Sequence, residues 1–471
     1  MTPIALEQLA QLLNGQLFNT DPHSLDLRKV VNGISIDSRT ITHGDLFVAI
    51  QGKHFDGHDY IVEAERKGAL AAIVERQTGE YKFPGILVED TKRALQIIAN
   101  WHRNNCEALV IGITGSVGKT TTRHMLYQML SGKYTGCESP QNYNNGIGVP
   151  LSLLQMTSEH EFALIEMGSS ASGEIDSLTK IAEPEIGILT EIGPAHLDGL
   201  GTLDQVIQEK GALLKSISRQ GHVFLPWHLY QLPEIRSEIQ AKVLTVGVTE
   251  SCDIAASEIT YEQGILRFQV DNYPYEFPAS GRHWLNSALI CIGLAYELDF
   301  TPTEIQEGLN RFESIPGRCH HIQTNWGLIL DDTYNASPLS VRAGLCSLTE
   351  VPNVSQRIAV LGDMLGLAES SEAHHRQLGK LVARSRIDFL ITYGSQARDF
   401  ARGAYQGGMS GSRIASFESM KDLLPILNLW ATSSSAVLVK GSHAMQMGRI
   451  VQELQNRDQT SEFVMPLKRA A

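Results

Sequence analysis

No stretch of this chain approaches the roughly 20 uninterrupted apolar residues that a bilayer-spanning helix needs, so no membrane insertion is expected. Positive charge is in short supply too: 39 Lys and Arg stand against 52 Asp and Glu, a formal net charge of −13. Non-specific nucleic-acid binding relies on Lys and Arg to neutralise phosphates, which argues against a nucleic-acid partner. A small anionic ligand must instead find local positive sites. The six cysteines (Cys106, Cys137, Cys252, Cys291, Cys319, Cys346) form no C-x-x-C pair and have no nearby His-x-His arrangement, so they read as reduced, buried thiols. Internal repeats, low-complexity tracts and long charge runs are missing as well. The opening MTPIALEQLAQLLNG has neither a basic leader nor a cleavage site; its spaced apolar residues around Glu7 predict a short amphipathic helix, and the expected compartment is the cytoplasm.

What the chain does have is length and a repeated α/β pattern. At 471 residues it exceeds what one hydrophobic core organises, and three domains fit its spacing. Apolar, β-branched runs ending in Gly, Asp, Glu or Ser recur: ALVIGIT, EFALIEMG, EIGILTEIG, GLILDDTYN, RIAVLGDM, DFLITYG and SAVLVKGS. Buried parallel strands read this way. Between them lie helix-compatible stretches such as TTTRHMLYQML and HHRQLGKLVARS, long enough for crossovers. The short strands GISIDS, LFVAIQG and AAIVE predict a separate small domain over residues 1–105. Pro316 and Gly317 in FESIPGRCHH mark a second boundary, giving a central domain at 106–315 and a last domain at 316–471.

The strongest local signal is ALVIGITGSVGKTTT, a strand, a turn with Gly115 and Gly118, then Lys119 and Thr120 opening a helix. Glycines let backbone N–H groups face phosphate oxygens, the helix N-terminus adds partial positive charge, Lys119 offsets β/γ-phosphate charge, and Thr120 can ligate magnesium. The strict G-x-x-x-x-G-K-[ST] spacing would place glycine at Ile113, so this is a variant loop. Glu166 ends the next strand at the same sheet edge, where it either holds magnesium or is a helix-capping or solvated carboxylate. His196 follows another strand, as a metal ligand or a structural hydrogen-bond partner. Lys210, in QVIQEKGALLKS, reads as an exposed helix lysine. An ammonium about 4 Å from a metal ion would be repelled by roughly 4 kcal/mol per unit of metal charge at an effective dielectric of 20, so only a chemically altered lysine suits such a site. In the last domain Asp331, Asp332, Gly362, Asp363, Lys440, Gly441 and Ser442 end strands and could form a polar edge facing a nucleotide.

In order and spacing these motifs resemble the Mur ligases, and among them the MurF type. The resemblance runs nearly end to end, through GISIDSRTITHGDLFVAIQGKHFDGHDYI, the phosphate loop, NYNNGIGVPLSLL, EMGSSASGEIDSL, IGPAHLDGLGT, DDTYNASPLSV, LGDMLGLAESSEAHH and VLVKGS. It implies a UDP-substrate-binding N-terminal domain, a central P-loop ATPase domain and a Rossmann-like C-terminal domain. The implied reaction joins D-alanyl-D-alanine to UDP-N-acetylmuramoyl-tripeptide through an acyl phosphate, with ATP and Mg2+, in a cytoplasmic monomer. Carried over by position, Gly115, Ser116, Gly118, Lys119, Thr120 and Thr121 match the ATP-phosphate loop, and Thr120, Glu166 and His196 the metal ligands. Lys210 matches a lysine that is carbamylated in relatives, which turns its ammonium into an anion able to ligate a second magnesium. Arg318 and Asp332 match residues reaching the nucleotide. Ser35, Asp37, Ser38, Arg39 and Asp56 match positions at the uridine end of the substrate, and Asn144 and Asn145 a substrate-side pair.

The chain departs from the family pattern at GRHWLNS, where Trp284 and Ser287 stand in place of adenine-side asparagines; a stacking Trp284 or the shifted Asn286 could substitute. Ala212, Gly146 and His443 also replace expected charged residues. A sister Mur ligase or a folate-polyglutamylating ligase with another amine acceptor would share the central motifs. A P-loop ATPase that makes no bond is the reading from a different class.

Overall fold

Three parallel-dominated sheets follow one another along the chain. The computed structural model describes residues 1–20, 28–77 and 83–460. The first sheet holds β1 (Gln16–Phe18), β2 (Gly33–Ser35), β3 (Asp45–Val48), β4 (Ala71–Val74) and β5 (Gly85–Leu87) in the order β1-β5-β4-β3-β2. Only β1 runs antiparallel to its neighbour. The opening residues form the expected short helix, Leu6–Leu12, whose buried face is Leu6, Leu9 and Ala10.

The second sheet comprises β6 (Leu109–Thr114), β7 (Gly136–Glu138), β8 (Phe162–Glu166), β9 (Ile186–Leu189), β10 (His222–Pro226), β11 (Lys242–Gly247) and β12 (Ile254–Ala255). Its order is β12-β11-β10-β9-β6-β8-β7, all parallel. Here β6 lies between β8 and β9, so the chain reverses its direction of travel across the sheet beside β6. Loops leaving the carboxyl ends of β6, β8 and β9 therefore meet in one crevice, where open α/β sheets bind ligands. A three-stranded antiparallel sheet, β13 (Ser257–Glu262), β14 (Ile265–Val270) and β15 (Tyr273–Pro278), then buries Leu266, Phe268, Tyr275 and Phe277 against the central helices.

The third sheet, order β16-β17-β21-β18-β19-β20, comprises β16 (His320–Gln323), β17 (Gly327–Asp332), β18 (Gln356–Gly362), β19 (Phe389–Tyr393), β20 (Ile414–Phe417) and β21 (Ser435–Lys440). All pairs are parallel except β16 with β17. The Pro316–Gly317 segment lies between the helix Pro302–Asn310 and β16. Apolar packing does not stop at the sheet boundaries. One cluster joins Leu95 and Ile98 of the first unit to Val149 and Ile175 of the second, and another joins Leu197 and Leu200 to Met364 and Leu367 of the third. No helix among the described residues is long and apolar enough to cross a membrane. The cysteines are all free, but the expectation that all are buried fails for Cys346, which is exposed, and for Cys137, which is half-buried.

His102 ties the first and second units together and makes their stability depend on pH. The ring is fully buried on the helix Thr91–Asn104; Nδ1 accepts from Thr2 N–H at 2.9 Å while Nε2 donates to the Met156 carbonyl at 3.0 Å. Acceptance by Nδ1 requires the neutral ring, since protonation there would remove the acceptor. Burial, with the nearby N-terminal ammonium, depresses its pKa from 6.5 to about 4. Between those values the unfolded chain binds the proton and the folded one does not, so stability falls as pH drops through 6.5, by about 2 kcal/mol at pH 5. Urea midpoints at pH 7.5 and pH 5 should differ less for His102→Gln than for the unsubstituted chain; equal differences would remove His102 from this role.

Candidate active site

The loop after β6 is shaped by backbone geometry that few side chains tolerate. Gly115 has φ 148° and Gly118 φ 86°. A Cβ on Gly115 would sit 2.2 Å from Thr190 Oγ1 and 3.0 Å from the Glu191 carbonyl, so only glycine fits where this loop crosses the end of β9. Ser116 Oγ donates to the Gly193 carbonyl at 2.9 Å, which fixes the far side of the loop. From Gly118 the helix α1 (Lys119–Leu130) begins, and its first N–H groups face the crevice. Lys119 Nζ donates to the Gly115 carbonyl at 2.7 Å, curling back over the loop.

Glu166, 1% exposed at the end of β8, is the anionic centre of the site. Its Oε2 accepts from Thr120 Oγ1 at 2.9 Å and from Arg123 Nη1 at 2.9 Å, and its Oε1 accepts from Asn144 Nδ2 at 2.9 Å. Arg318 Nη2 donates to Thr120 Oγ1 at 3.0 Å across the boundary with the third unit. The guanidinium of Arg318 lies 3.6 Å from the centre of the Tyr334 ring, a stacked contact that fixes its direction. Lys119, Arg123 and Arg318 thus surround one carboxylate. Burial lowers the pKa of both Lys119 and Arg318; Glu166 raises each, and the nearby arginine, Arg318 for Lys119 and Arg123 for Arg318, lowers it again. A polyphosphate anion would relieve this mutual repulsion of cations, which is how a chain of net charge −13 can receive a nucleotide.

Lys210 is not the exposed lysine that its helix pattern suggests. On α2 (Leu203–Ser216) it is 2% exposed, and its Nζ donates to Ser169 Oγ at 2.6 Å. Burial first, then the Lys119 charge, push its pKa down to about 7. The adjacent Glu209 is buried too and accepts from Gly173 N–H at 2.7 Å and Ile175 N–H at 2.8 Å, capping the helix Glu174–Ala182. His196 stands on the loop after β9 in a left-handed conformation, φ 55°. Desolvation and the ammonium groups of Lys210 and Lys119 depress its pKa, favouring the neutral imidazole that ligates metals. No group of three or more His, Cys, Asp or Glu side chains that could hold a metal occurs among the described residues. An ion such as magnesium keeps several waters and substrate phosphates and takes one or two carboxylates, so it does not require such a group.

At the edge of the third sheet Asp332 pairs with the 1%-exposed Lys440 at 2.5 Å, and its Oδ1 accepts from Cys319 N–H at 3.1 Å. Lys440 also donates to the Asn335 carbonyl at 2.9 Å. Removing the cation leaves a half-buried carboxylate without its ion-pair partner. Lys440→Ala should therefore destabilise the chain by about 3 kcal/mol, seen as a lower denaturant midpoint; an unchanged midpoint would show the pair to be dispensable. Asp363 stands at the same edge, directly after β18, but its carboxylate is already engaged by the backbone. It accepts from Ala397 N–H at 2.6 Å.

The N-terminal residues form a second cluster where β2 and β3 end. Asp37 holds Arg39 through both carboxylate oxygens, at 2.7 to 3.1 Å, and that guanidinium brings the carboxyl down to about 2. Ser35 Oγ donates to the Asp37 carbonyl, and the buried Ser38 donates to Glu63. Asp56 binds Arg76 and His58. Asn145 is exposed, and its side chain caps the helix Gly148–Leu153 through Ile147 and Gly148 N–H.

Residues 30–103 match the model of the Mur ligase family catalytic domain, 113–295 the Mur ligase middle domain, and 317–443 the Mur ligase glutamate ligase domain. A UDP-N-acetylmuramoyl-tripeptide--D-alanyl-D-alanine ligase from Synechocystis sp. is 33% identical over 97% of this chain and 99% of its own length. Its counterpart from Haemophilus influenzae is 31% identical over 97% and 99%. The chain belongs to the Mur ligase family. The crystal structure of MurF from Acinetobacter baumannii superposes with a TM-score of 0.86 at 29% identity, covering 97% of this chain and 99% of that one. MurF from Thermotoga maritima in complex with ADP gives 0.81 at 28% identity, covering 92% and 99%. The fold is thus the three-domain Mur ligase architecture expected from the motifs.

Within this Mur ligase, the expectation of a stacking Trp284 on the adenine side changes. Trp284 is 4% exposed and packs edge-on against Phe312 at 5.1 Å between ring centres, so it fills core space and presents no open stacking face. Ser287 accepts from Thr122 Oγ1 at 2.8 Å behind the phosphate loop. Arg123, Ser169 and Tyr334 went unassigned in the sequence although they contact assigned residues directly. Arg123 was within reach of pattern reasoning: it lies one helical turn from Lys119 and therefore on the same face of α1.

Proposed function

We propose that this ligase joins D-alanyl-D-alanine to UDP-N-acetylmuramoyl-tripeptide, converting ATP to ADP and phosphate, in the synthesis of peptidoglycan precursors. The observation that carries the reading is the bond from Arg318 to Thr120, which sets a cation of the C-terminal domain on the phosphate loop of the central one. A cation so placed stabilises charge on the transferring phosphoryl group, a need that a hydrolase shares, and the similarity along nearly the whole chain to UDP-N-acetylmuramoyl-tripeptide--D-alanyl-D-alanine ligases is what favours bond formation.

A carboxylate oxygen of the tripeptide attacks the γ-phosphorus of ATP, the bond to the β,γ-bridging oxygen breaks, and ADP leaves an acyl phosphate behind. The dipeptide nitrogen attacks the acyl carbon and gives up a proton; collapse of the tetrahedral adduct forms the amide and expels phosphate. Gly115, Ser116, Gly118 and Thr121 shape the phosphate cradle, with Lys119 and Arg318 offsetting charge on the γ-phosphoryl oxygens. Asp332 takes the ribose side. Ser35, Asp37, Ser38, Arg39 and Asp56 hold the uridine end, and Asn144 and Asn145 line the substrate side of the crevice.

The residues fit Mg2+. Thr120 Oγ1 and Glu166 Oε2, 2.9 Å apart, are the hard oxygen donors that magnesium takes beside phosphate and water. His196 and Lys210 suit a second ion once Lys210 carries a carbamate, formed when its neutral amine adds CO2 and releases a proton. Bound magnesium supplies Lewis-acid neutralisation of phosphoryl charge. The reading further takes the protein as a monomer acting in the cytoplasm, where ATP is available. Mass detection of the product with D-alanyl-D-alanine, set beside single amino acids as amines, tests the assignment. Pentapeptide only with the dipeptide is expected; preference for a single amino acid would make the chain a sister ligase.

A further inference from the structure

The loop that carries His196 is held from both sides, and the C-terminal domain supplies one of them. Leu197 N–H donates to the Gly366 carbonyl at 2.7 Å, and Asp198 Oδ1 accepts from Ala368 N–H at 2.8 Å. Leu197 and Leu200 are buried in the same apolar cluster as Met364 and Leu367. The seam leaves little space: a Cβ on Gly366 would come into van der Waals contact with His196 N and Cα at 3.7 Å, and one on Gly193 would lie 2.2 Å from the Leu339 side chain at Cδ1. On the opposite side a Cβ on Gly199 would meet the Ser170 carbonyl at 2.0 Å, next to the Ser169 that binds Lys210.

The two segments that meet are both in conformations that side chains adopt reluctantly. His196 has φ 55° and Ala368 φ 47°, and neither is glycine. Left-handed residues of this kind are strained and persist only where surrounding contacts fix them. Here the contacts that fix them are reciprocal, because the bond to Asp198 holds the Ala368 turn while the Gly366 carbonyl holds the residue after His196. Gly193, three residues before His196, exchanges hydrogen bonds with Ser116 of the phosphate loop at 2.9 and 3.1 Å. A continuous set of contacts therefore leads from the C-terminal domain through Asp198 and His196 to the phosphate loop.

We infer that Asp198 is a positioning residue: its carboxylate latches the Ala368 turn of the C-terminal domain and so sets the His196 loop in its working conformation when the domains are together. This rests on the ligase reaction proposed above. Asp198 reaches no reacting atom and acts through His196, so its loss should slow the committed complex and leave nucleotide capture by the loop and Lys119 intact.

The test compares Asp198→Ala and Asp198→Asn in the full-length chain, with ATP, magnesium and both substrates. The alanine variant should lose about tenfold in kcat while KM for ATP stays within about twofold, and asparagine, whose amide oxygen still accepts from Ala368 N–H, should restore most of the rate. Thermal midpoints should agree among the three proteins. Unchanged kcat in the alanine variant, equal damage in both variants, or a loss of rate matched by a lower unfolding midpoint would each overturn the latch. An unsubstituted chain that forms no amide would instead remove the proposed reaction, so the two failures are told apart.

Discussion

Lys119→Ala is expected to lower kcat by about a thousandfold, because it removes the ammonium that opposes the growing charge on the γ-phosphoryl group, where a single preorganised donor is worth about 10²–10³ in rate. The side chain already points where it must act, curled over the loop onto the Gly115 carbonyl. Burial and Arg318 lower its pKa, whereas a bound polyphosphate raises it again, so the lysine is charged when ATP is present. Lys119→Arg should not restore the rate, since a planar, longer guanidinium does not fit a cradle built around Gly115 and Gly118. Phosphate release at saturating substrates measures the effect, with the unfolding midpoint as a check on folding. A loss under about tenfold would mean that Arg123 and Arg318 suffice without it.

Lys210→Arg should be nearly as damaging, although it keeps a positive charge. The native side chain is almost fully buried, bonds to Ser169, and has no carboxylate within salt-bridge distance among the described residues. A pKa near 7 leaves a large share of the amine neutral at physiological pH, and the neutral amine is the form that adds CO2. Arginine stays protonated and cannot form the carbamate, so the second magnesium would lose an anionic ligand and meet a cation instead. A loss of about a thousandfold in kcat is expected, on the scale of the several kcal/mol that such an ion contributes. Removing dissolved CO2 should slow the unsubstituted enzyme and leave the variant unchanged. Near-normal turnover in Lys210→Arg would rule out the carbamate.

Much of the fold was legible because buried parallel strands write themselves as short apolar runs ending in polar residues, as β6, β8, β9, β17, β18, β19 and β21 do. Strands β10 and β11 were passed over: HVFLP and KVLTVG are equally apolar, but nothing of chemical note stands at their ends. The phosphate loop was visible since glycine, lysine and threonine have few structural reasons to coincide between a strand and a helix. Burial of individual polar residues was harder to see. Lys210 lies on a helix whose neighbours Glu209 and Gly211 are also buried, so no polar face marks it. That surface is fixed by packing against the Ser169 loop, a contact across 41 positions of sequence. Trp284 misled for the opposite reason, as its place in a family motif suggested a ligand contact while its ring fills space beside Phe312. Asp198 was quoted within AHLDGLGT and passed over, because its partner at Ala368 is 170 positions away.

The most direct test of the account is phosphate release from ATP and magnesium with UDP-N-acetylmuramoyl-tripeptide and D-alanyl-D-alanine, each omitted in turn, alongside mass detection of the product. Release that needs both substrates and matches the pentapeptide formed, mole for mole, is predicted. Release that continues at the same rate with either substrate absent and yields no amide would contradict the ligase reading and leave a nucleotide hydrolase on a ligase fold.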